Sequence, residues 1–161
     1  MIQWQSMLDL YDELKALTAS FEANGVAYAL CGGLAMAVYG VTRATVDIDL
    51  LIPAECLEAA ESAARDLGYT IAAAPMIFAA GAIEIRRISK LDPDSEDLLT
   101  LDLLLVTASL AEVWRTRREV EWEGGILRVV SREGLIALKK FRRSGQDLDD
   151  IARLAEEADN G

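Results

Sequence analysis

Two carboxylates set two positions apart offer the first chemistry in this sequence. Asp47 and Asp49 lie within Val46-Asp47-Ile48-Asp49-Leu50-Leu51-Ile52, a run whose β-branched residues and leucines predict a strand. In a strand, side chains at i and i+2 share a face, so both acids project together while Ile48 and Leu50 take the other side. Two ionised carboxylates about 4 Å apart repel by roughly 4 kcal/mol at an effective dielectric of about 20. Either one of them holds a proton or a cation lies between them. Mg2+ is the natural cation, because it takes hard oxygen ligands and shares them with phosphates. A solvated strand face alternating acid with apolar residues would show the same spacing, so the pair alone decides nothing.

Two further features narrow the choice. Asp102 is the only charge in the apolar run Leu98 to Val106. An unpaired carboxylate there costs several kcal/mol, or about that much to neutralise, unless it sits at a solvated strand end or shares a metal with a neighbouring strand. Gly32-Gly33 follows a short apolar run and opens a helix. Glycines at such a turn let the backbone approach a ligand closely, and N–H groups at a helix start attract phosphate. An ordinary strand-to-helix turn would also accept them.

These residues need elements to hold them. Leu8, Tyr11, Leu14, Leu17 and Phe21 recur at helical spacing, and Asn24-Gly25 ends that helix. Val26 to Cys31 reads as a short buried strand, and Leu34 to Tyr39 as a short helix ended by Gly40. Pro53 opens a helix using Leu57, Ala60, Ala64 and Leu67, closed by Gly68. Tyr69 to Ala74 and Ala82 to Ile88 read as strands, and Leu98 to Val106 as a central strand buried on both faces. Glu119 to Trp122 and Ile126 to Val130 form a hairpin through Gly124-Gly125. Ser131 caps a helix to about Phe141, and Asp147 to Ala158 is a final helix. The expected class is α+β: one domain over 1–161, with a mixed sheet covered by helices over about 25–130 and a helical part over about 131–158.

Composition bounds the rest. The chain has 161 residues, 52% of them hydrophobic, enough for one core. No apolar run is long enough to span a bilayer, and Met1 to Leu10 shows no secretory pattern, so a cytoplasmic location without membrane contact is expected. There is no histidine, which excludes a histidine base, and with only Cys31 and Cys56 a structural zinc site is disfavoured. Both cysteines read as small buried hydrophobes. The net charge of −11 opposes nucleic acid, but nine of the basic residues fall between Trp114 and Arg143 against four Glu. They form either solvated faces or a functional patch. Trp4, Trp114 and Trp122 suit packing better than base stacking.

Taken together, Gly32-Gly33, thirteen intervening residues, Asp47-Ile48-Asp49 and a later lone Asp102 resemble the nucleotidyltransferase superfamily. That superfamily includes DNA polymerase β, kanamycin nucleotidyltransferase and the minimal nucleotidyltransferases. Cys31 to Ile52 (CGGLAMAVYGVTRATVDIDLLI) is similar to the signature of AbiEii-type nucleotidyltransferase toxins and their bacterial relatives, and Leu135 to Lys139 and Arg143 to Ile151 resemble that group's later motifs. Ala54 to Leu98 is generic. The resemblance implies a nucleotidyltransferase fold and transfer of a nucleoside monophosphate from an NTP such as ATP to a hydroxyl of an RNA end, a protein or a small molecule. It implies that Asp47 and Asp49 hold Mg2+ on the triphosphate, and that Asp102 completes a second metal position or acts as base. Two metals about 4 Å apart can activate the attacking oxygen and neutralise the leaving pyrophosphate. It also implies that Gly32 and Gly33 line the triphosphate and that Lys139 contacts phosphate as a point charge, unless Lys139 faces solvent. Arg43 and Thr45 would touch phosphate or brace their loop. Lys140, Arg142 and Arg143 would be solvated or lie near an acceptor nucleic acid, and Asp147 and Asp150 would pin the last helix. Where relatives often carry His before Gly40, this chain has Tyr39, and it is shorter than typical toxins. The setting implied is toxin–antitoxin or phage defence, with a cognate antitoxin as partner. The alternative is an inactive or weak binding module of the same fold working with a protein partner. A third reading is a purely structural domain with incidental acids.

Overall fold

A computed structural model describes residues 2–42, 45–142 and 150–156, with side chains from Leu10 onward apart from that of Arg142. Arg43, the motif residues 143–149 and residues 157–161 lie outside the described residues.

Helix α1 (Ile2–Ala23) buries Leu14, Leu17 and Phe21 of the expected stripe, and Leu10, which the stripe did not include, while Tyr11 is half-buried and the side chain of Leu8 lies outside the described residues. It ends where Gly25 takes a left-handed φ of 70° and Asn24 donates its side-chain amide to the Ser20 carbonyl at 2.7 Å. Strand β1 (Ala29–Cys31) runs directly into α2 (Gly32–Val38), and β2 (Asp47–Pro53) follows. A 3-10 turn over Ala54–Cys56 leads into α3 (Leu57–Asp66). Then come β3 (Ile71–Ala72), β4 (Met76–Phe78), β5 (Ile83–Leu91), β6 (Leu98–Val106), α4 (Ala111–Arg115), β7 (Arg118–Trp122), β8 (Gly125–Val129) and α5 (Arg132–Arg142). Residues 150–156 are helical again.

The strands form one sheet in the order β3-β5-β6-β2-β1-β8-β7, with β4 added beside β5. β2 pairs with β6 and β1 with β8 in parallel, and the other pairs are antiparallel. A mixed sheet with helices is the expected α+β class. β6 lies inside the sheet between β5 and β2, and Leu101, Leu103, Leu104 and Leu105 are buried along it, as are Ile48, Leu50, Leu51 and Ile52 on β2. Ser131 accepts the Gly134 N–H at 3.0 Å and so caps α5. Among the described residues no helix is long and apolar enough to cross a membrane.

Several elements differ from the sequence pattern: Pro53 ends β2 rather than opening a helix, and β5 runs on to Leu91 rather than stopping at Ile88, paired with β6 to that point. β1 begins at Ala29 rather than Val26, because only Ala29 to Cys31 find partners on β2. The region expected to hold two strands holds three: β4 follows Pro75 and exists through its pairing with Met76 opposite Ile85 and Phe78 opposite Ile83. α4 was not anticipated, since five residues carry no helical period, and it is held by burial of Val113.

Candidate active site

Strand register builds the site. Cys31 on β1 lies opposite Asp49 on β2, Asp49 opposite Asp102 on β6, and Asp102 opposite Arg87 on β5. Four strands thus place one residue each in a single row across the sheet. Two positions along, on the same face, Asp47, Thr100 and Ser89 form a second row, in which the Ser89 and Thr100 hydroxyls share a hydrogen bond of 3.1 Å. Asp47, Asp49 and Asp102 therefore line one cavity of about 550 Å³, and the projection expected for the Asp-x-Asp pair is what β2 produces. α5 covers this face, contributing Leu135, Leu138, Lys139 and Phe141 to the cavity wall.

Arg87 was not anticipated. Its Nε donates to Asp102 Oδ1 at 2.8 Å and its Nη2 to Asp102 Oδ2 at 2.9 Å, a two-pronged pair. Asp102 is 4% exposed, so this guanidinium is what answers its burial. The bond to Asp102 holds the guanidinium charged by raising its proton affinity further. The signal was present in the sequence: Ile83, Ile85 and Arg87 share one strand face, and the third position breaks its apolar pattern. Burial pushes the Asp47 carboxyl above its ordinary range; the Asp102 charge adds to that and Arg87 opposes it. Burial, reinforced by Asp49 and Asp102, pushes the Cys31 thiol far up, which leaves it a neutral packing group.

Gly32 is required by its neighbour. Its φ is 69°, and a Cβ built there would lie 2.7 Å from Asp49 Cγ. The absence of a side chain lets the Asp49 carboxylate rest against the backbone at the start of α2. At Gly33 a Cβ would meet Thr45 Oγ1 at 2.8 Å, and Thr45 Oγ1 donates to the Asp47 carbonyl at 3.4 Å. Thr45 therefore braces the loop before β2. Lys139 is not a solvent-facing lysine: it is 7% exposed, lines the cavity, and its Nζ lies 3.1 Å from Oδ2 of the fully buried Asp150. Asp150 ties the last helix to α5 through that pair.

Among the described residues, four of the arginines after Trp114 are held by neighbours. Arg115 pairs with Glu112, Arg128 with Glu22 and Glu119, Arg117 lies 3.9 Å over the Trp114 ring, and Arg132 lies over Tyr39. Trp114 and Trp122 pack against the core. The Tyr39 hydroxyl donates to the Val130 carbonyl at 2.9 Å, tying the end of α2 to the end of β8.

As the side chains stand, no three His, Cys, Asp or Glu residues among those described are placed to hold a metal together. The reason is visible at Asp102, whose two oxygens both face Arg87. Mg2+ needs only one or two carboxylates plus substrate phosphates, and Asp47 with Asp49 supply that pair on one strand face. Asp102 would have to share its oxygens with Arg87 or release it to join them.

No described protein family and no curated protein matches the chain by sequence. Solved structures do match it. The lincosamide antibiotic adenylyltransferase LnuA, in its lincomycin-bound crystal structure, aligns at a TM-score of 0.54 and 17% identity over 94% of this chain and 95% of that one. The antibiotic-resistance factor ANT(2″)-Ia in solution aligns at 0.61 and 18% identity over 99% and 89%. A protein of Thermotoga maritima described as a nucleotidyltransferase aligns at 0.58 and 14% identity over 95% and 94%. At these identities the likeness is one of architecture, and the chain has the nucleotidyltransferase fold.

Proposed function

We propose that the protein is a Mg2+-dependent nucleotidyltransferase that moves a nucleoside monophosphate from an NTP to a hydroxyl acceptor. The observation that carries this is the register row Asp49–Asp102–Arg87 with Asp47 beside it, in a cavity walled by Gly32 and Lys139. Asp47 and Asp49 would hold the ion, and Mg2+, when bound, supplies charge stabilisation to the triphosphate and the departing pyrophosphate. Gly32 and Gly33, whose missing side chains make room for Asp49 and Thr45, would line the triphosphate with their backbone. Lys139, aimed by Asp150, adds a positive charge from α5. Asp102, once Arg87 lets go, takes the acceptor's hydroxyl proton. The acceptor oxygen then bonds to the α-phosphorus, the bond from that phosphorus to the bridging oxygen breaks, and pyrophosphate leaves with the electron pair.

ATP is the first nucleotide to test, and RNA ends, proteins and small molecules are the acceptor classes. Incubation with labelled nucleotide, Mg2+ and each class tests the reading: label must appear with wild type and disappear with Asp47→Ala. Equal labelling by the two proteins overturns it. The grip of Arg87 on Asp102 favours a second reading, a binding module of the same fold with little turnover that acts with a protein partner such as an antitoxin. Calorimetry that shows tight ATP–Mg2+ binding without product selects that one. The likeness to AbiEii-type toxins, carried by Cys31 to Ile52, and a cytoplasmic toxin–antitoxin or phage-defence setting belong to this same proposal.

A further inference from the structure

The cavity has two unlike halves, and the sheet register separates them. Four of its charged wall residues, Asp47, Asp49, Asp102 and Arg87, stand in two adjacent register rows. One register step beyond the Asp49–Asp102–Arg87 row lies an apolar row, with Leu104 on β6 opposite Ile85 on β5 and Ile85 opposite Met76 on β4. The step is two residues along each strand, about 7 Å. A second step brings Ile83 opposite Phe78. Phe141 joins the same wall from α5, yet Phe78 is 50% exposed and Phe141 37% exposed, so apolar surface stands open inside the cavity. Between β4 and β5 the chain turns through Ala79, Ala80 and Gly81 at φ of 53°, 54° and 93°. Two alanines in the left-handed region are strained, and such strain persists where the surroundings dictate the path of the chain.

We infer that this apolar half receives the acceptor, and that the acceptor is a small hydroxyl compound with an uncharged, largely apolar body. The inference rests on the nucleotidyl-transfer reading of the same cavity. Gly32 and the Asp47–Asp49 pair belong to the β1 and β2 side, where the triphosphate is placed. The apolar rows belong to β6, β5 and β4, on the far side of Asp102, the residue assigned the acceptor's proton. The cavity volume, about 550 Å³, suits a small molecule. A polycationic acceptor finds no carboxylate among the described residues of the apolar half. A nucleic acid finds no lysine or arginine among the described residues of the apolar rows.

The test is calorimetric binding of n-octyl β-D-glucoside below its micelle concentration, of glucose, of tobramycin and of ATP with Mg2+, to wild type, Phe78→Ser and Phe141→Ser. Wild type is expected to bind the alkyl glucoside at least about tenfold more tightly than glucose, and each serine variant to lose about tenfold of that, the size of one buried aromatic contact. ATP–Mg2+ affinity stays unchanged in both variants. If either variant loses ATP affinity together with the alkyl glucoside, the apolar half belongs to the nucleobase and the inference is overturned. Tighter binding of tobramycin than of the alkyl glucoside overturns it as well. If wild type binds the alkyl glucoside but no ATP–Mg2+, the nucleotidyl-transfer reading itself falls and takes the acceptor role with it.

Discussion

Arg87→Met is the sharpest perturbation of the site. The variant keeps most of the side-chain length but removes the guanidinium from Asp102, which is 5% exposed at its side chain. Asp49 stands directly opposite Asp102 on the neighbouring strand. At a strand spacing of about 5 Å and an effective dielectric of about 20, that pair of charges repels by roughly 3 kcal/mol. Arg87 is 42% exposed, so solvent already screens part of what it offsets, and a net loss of about 2 kcal/mol is expected for the metal-free protein at pH 7. In a domain of this size that lowers the melting temperature by about 4–8 °C. The assay is thermal denaturation of wild type, Arg87→Met, Asp102→Asn and the double variant, each with and without ATP and Mg2+. Because the cost is the uncompensated Asp102 charge, the loss should shrink to near zero in the Asp102→Asn background. Mg2+ with ATP should raise the melting temperature of Arg87→Met by more than that of wild type, since a cation now faces a carboxylate with no competitor. An Arg87→Met protein that melts with wild type, or that loses equally in the Asp102→Asn background, refutes the reasoning.

Three other outcomes follow from the same geometry. Gly32→Ala takes on a left-handed backbone cost of about 1–2 kcal/mol and displaces the Asp49 carboxylate. Nucleotide transfer, read by labelled product, should therefore fall by about 100-fold, the scale of an ångström of misplacement, and by far more than the stability loss explains. Lys139→Met leaves the Asp150 carboxylate buried without its lysine and should cost about 3–5 kcal/mol in urea unfolding, most of it regained in Lys139→Met/Asp150→Leu. Burial raises the hydroxyls of Tyr28, Tyr39 and Tyr69 above the ordinary tyrosine value, with Glu13 adding to the rise at Tyr69. The folded state thus holds these protons more tightly than the unfolded chain does, so stability is unaffected below about pH 10 and falls as pH rises beyond it. Absorbance at 295 nm should show the three ionising together with unfolding; smooth titration of all three before the fold is lost would contradict their burial.

Patterns within a few residues of one another were legible along the chain. The period of Leu8, Tyr11, Leu14, Leu17 and Phe21 marked α1, alternation marked the shared face of Asp47 and Asp49, and the run Leu98 to Val106 marked the interior strand β6 at its observed limits. The Ser131 cap was equally local. Elements that depend on a partner were hidden: β4 is three residues long and exists because β5 offers it an edge, and α4 is a single turn and a half held by what Val113 buries against.

The candidate site divides along the same line. By itself the chain determined the residue types and which of them share a strand face, because side-chain direction in a strand follows from backbone geometry alone. Only the tertiary structure decided which strands are neighbours and in what register. That choice set Asp49 opposite Asp102, gave Asp102 to Arg87, buried Lys139 against Asp150 and laid an apolar wall one step beyond the acids. Register is an agreement between segments tens of residues apart, made by the core they bury together, and no single stretch of sequence contains it.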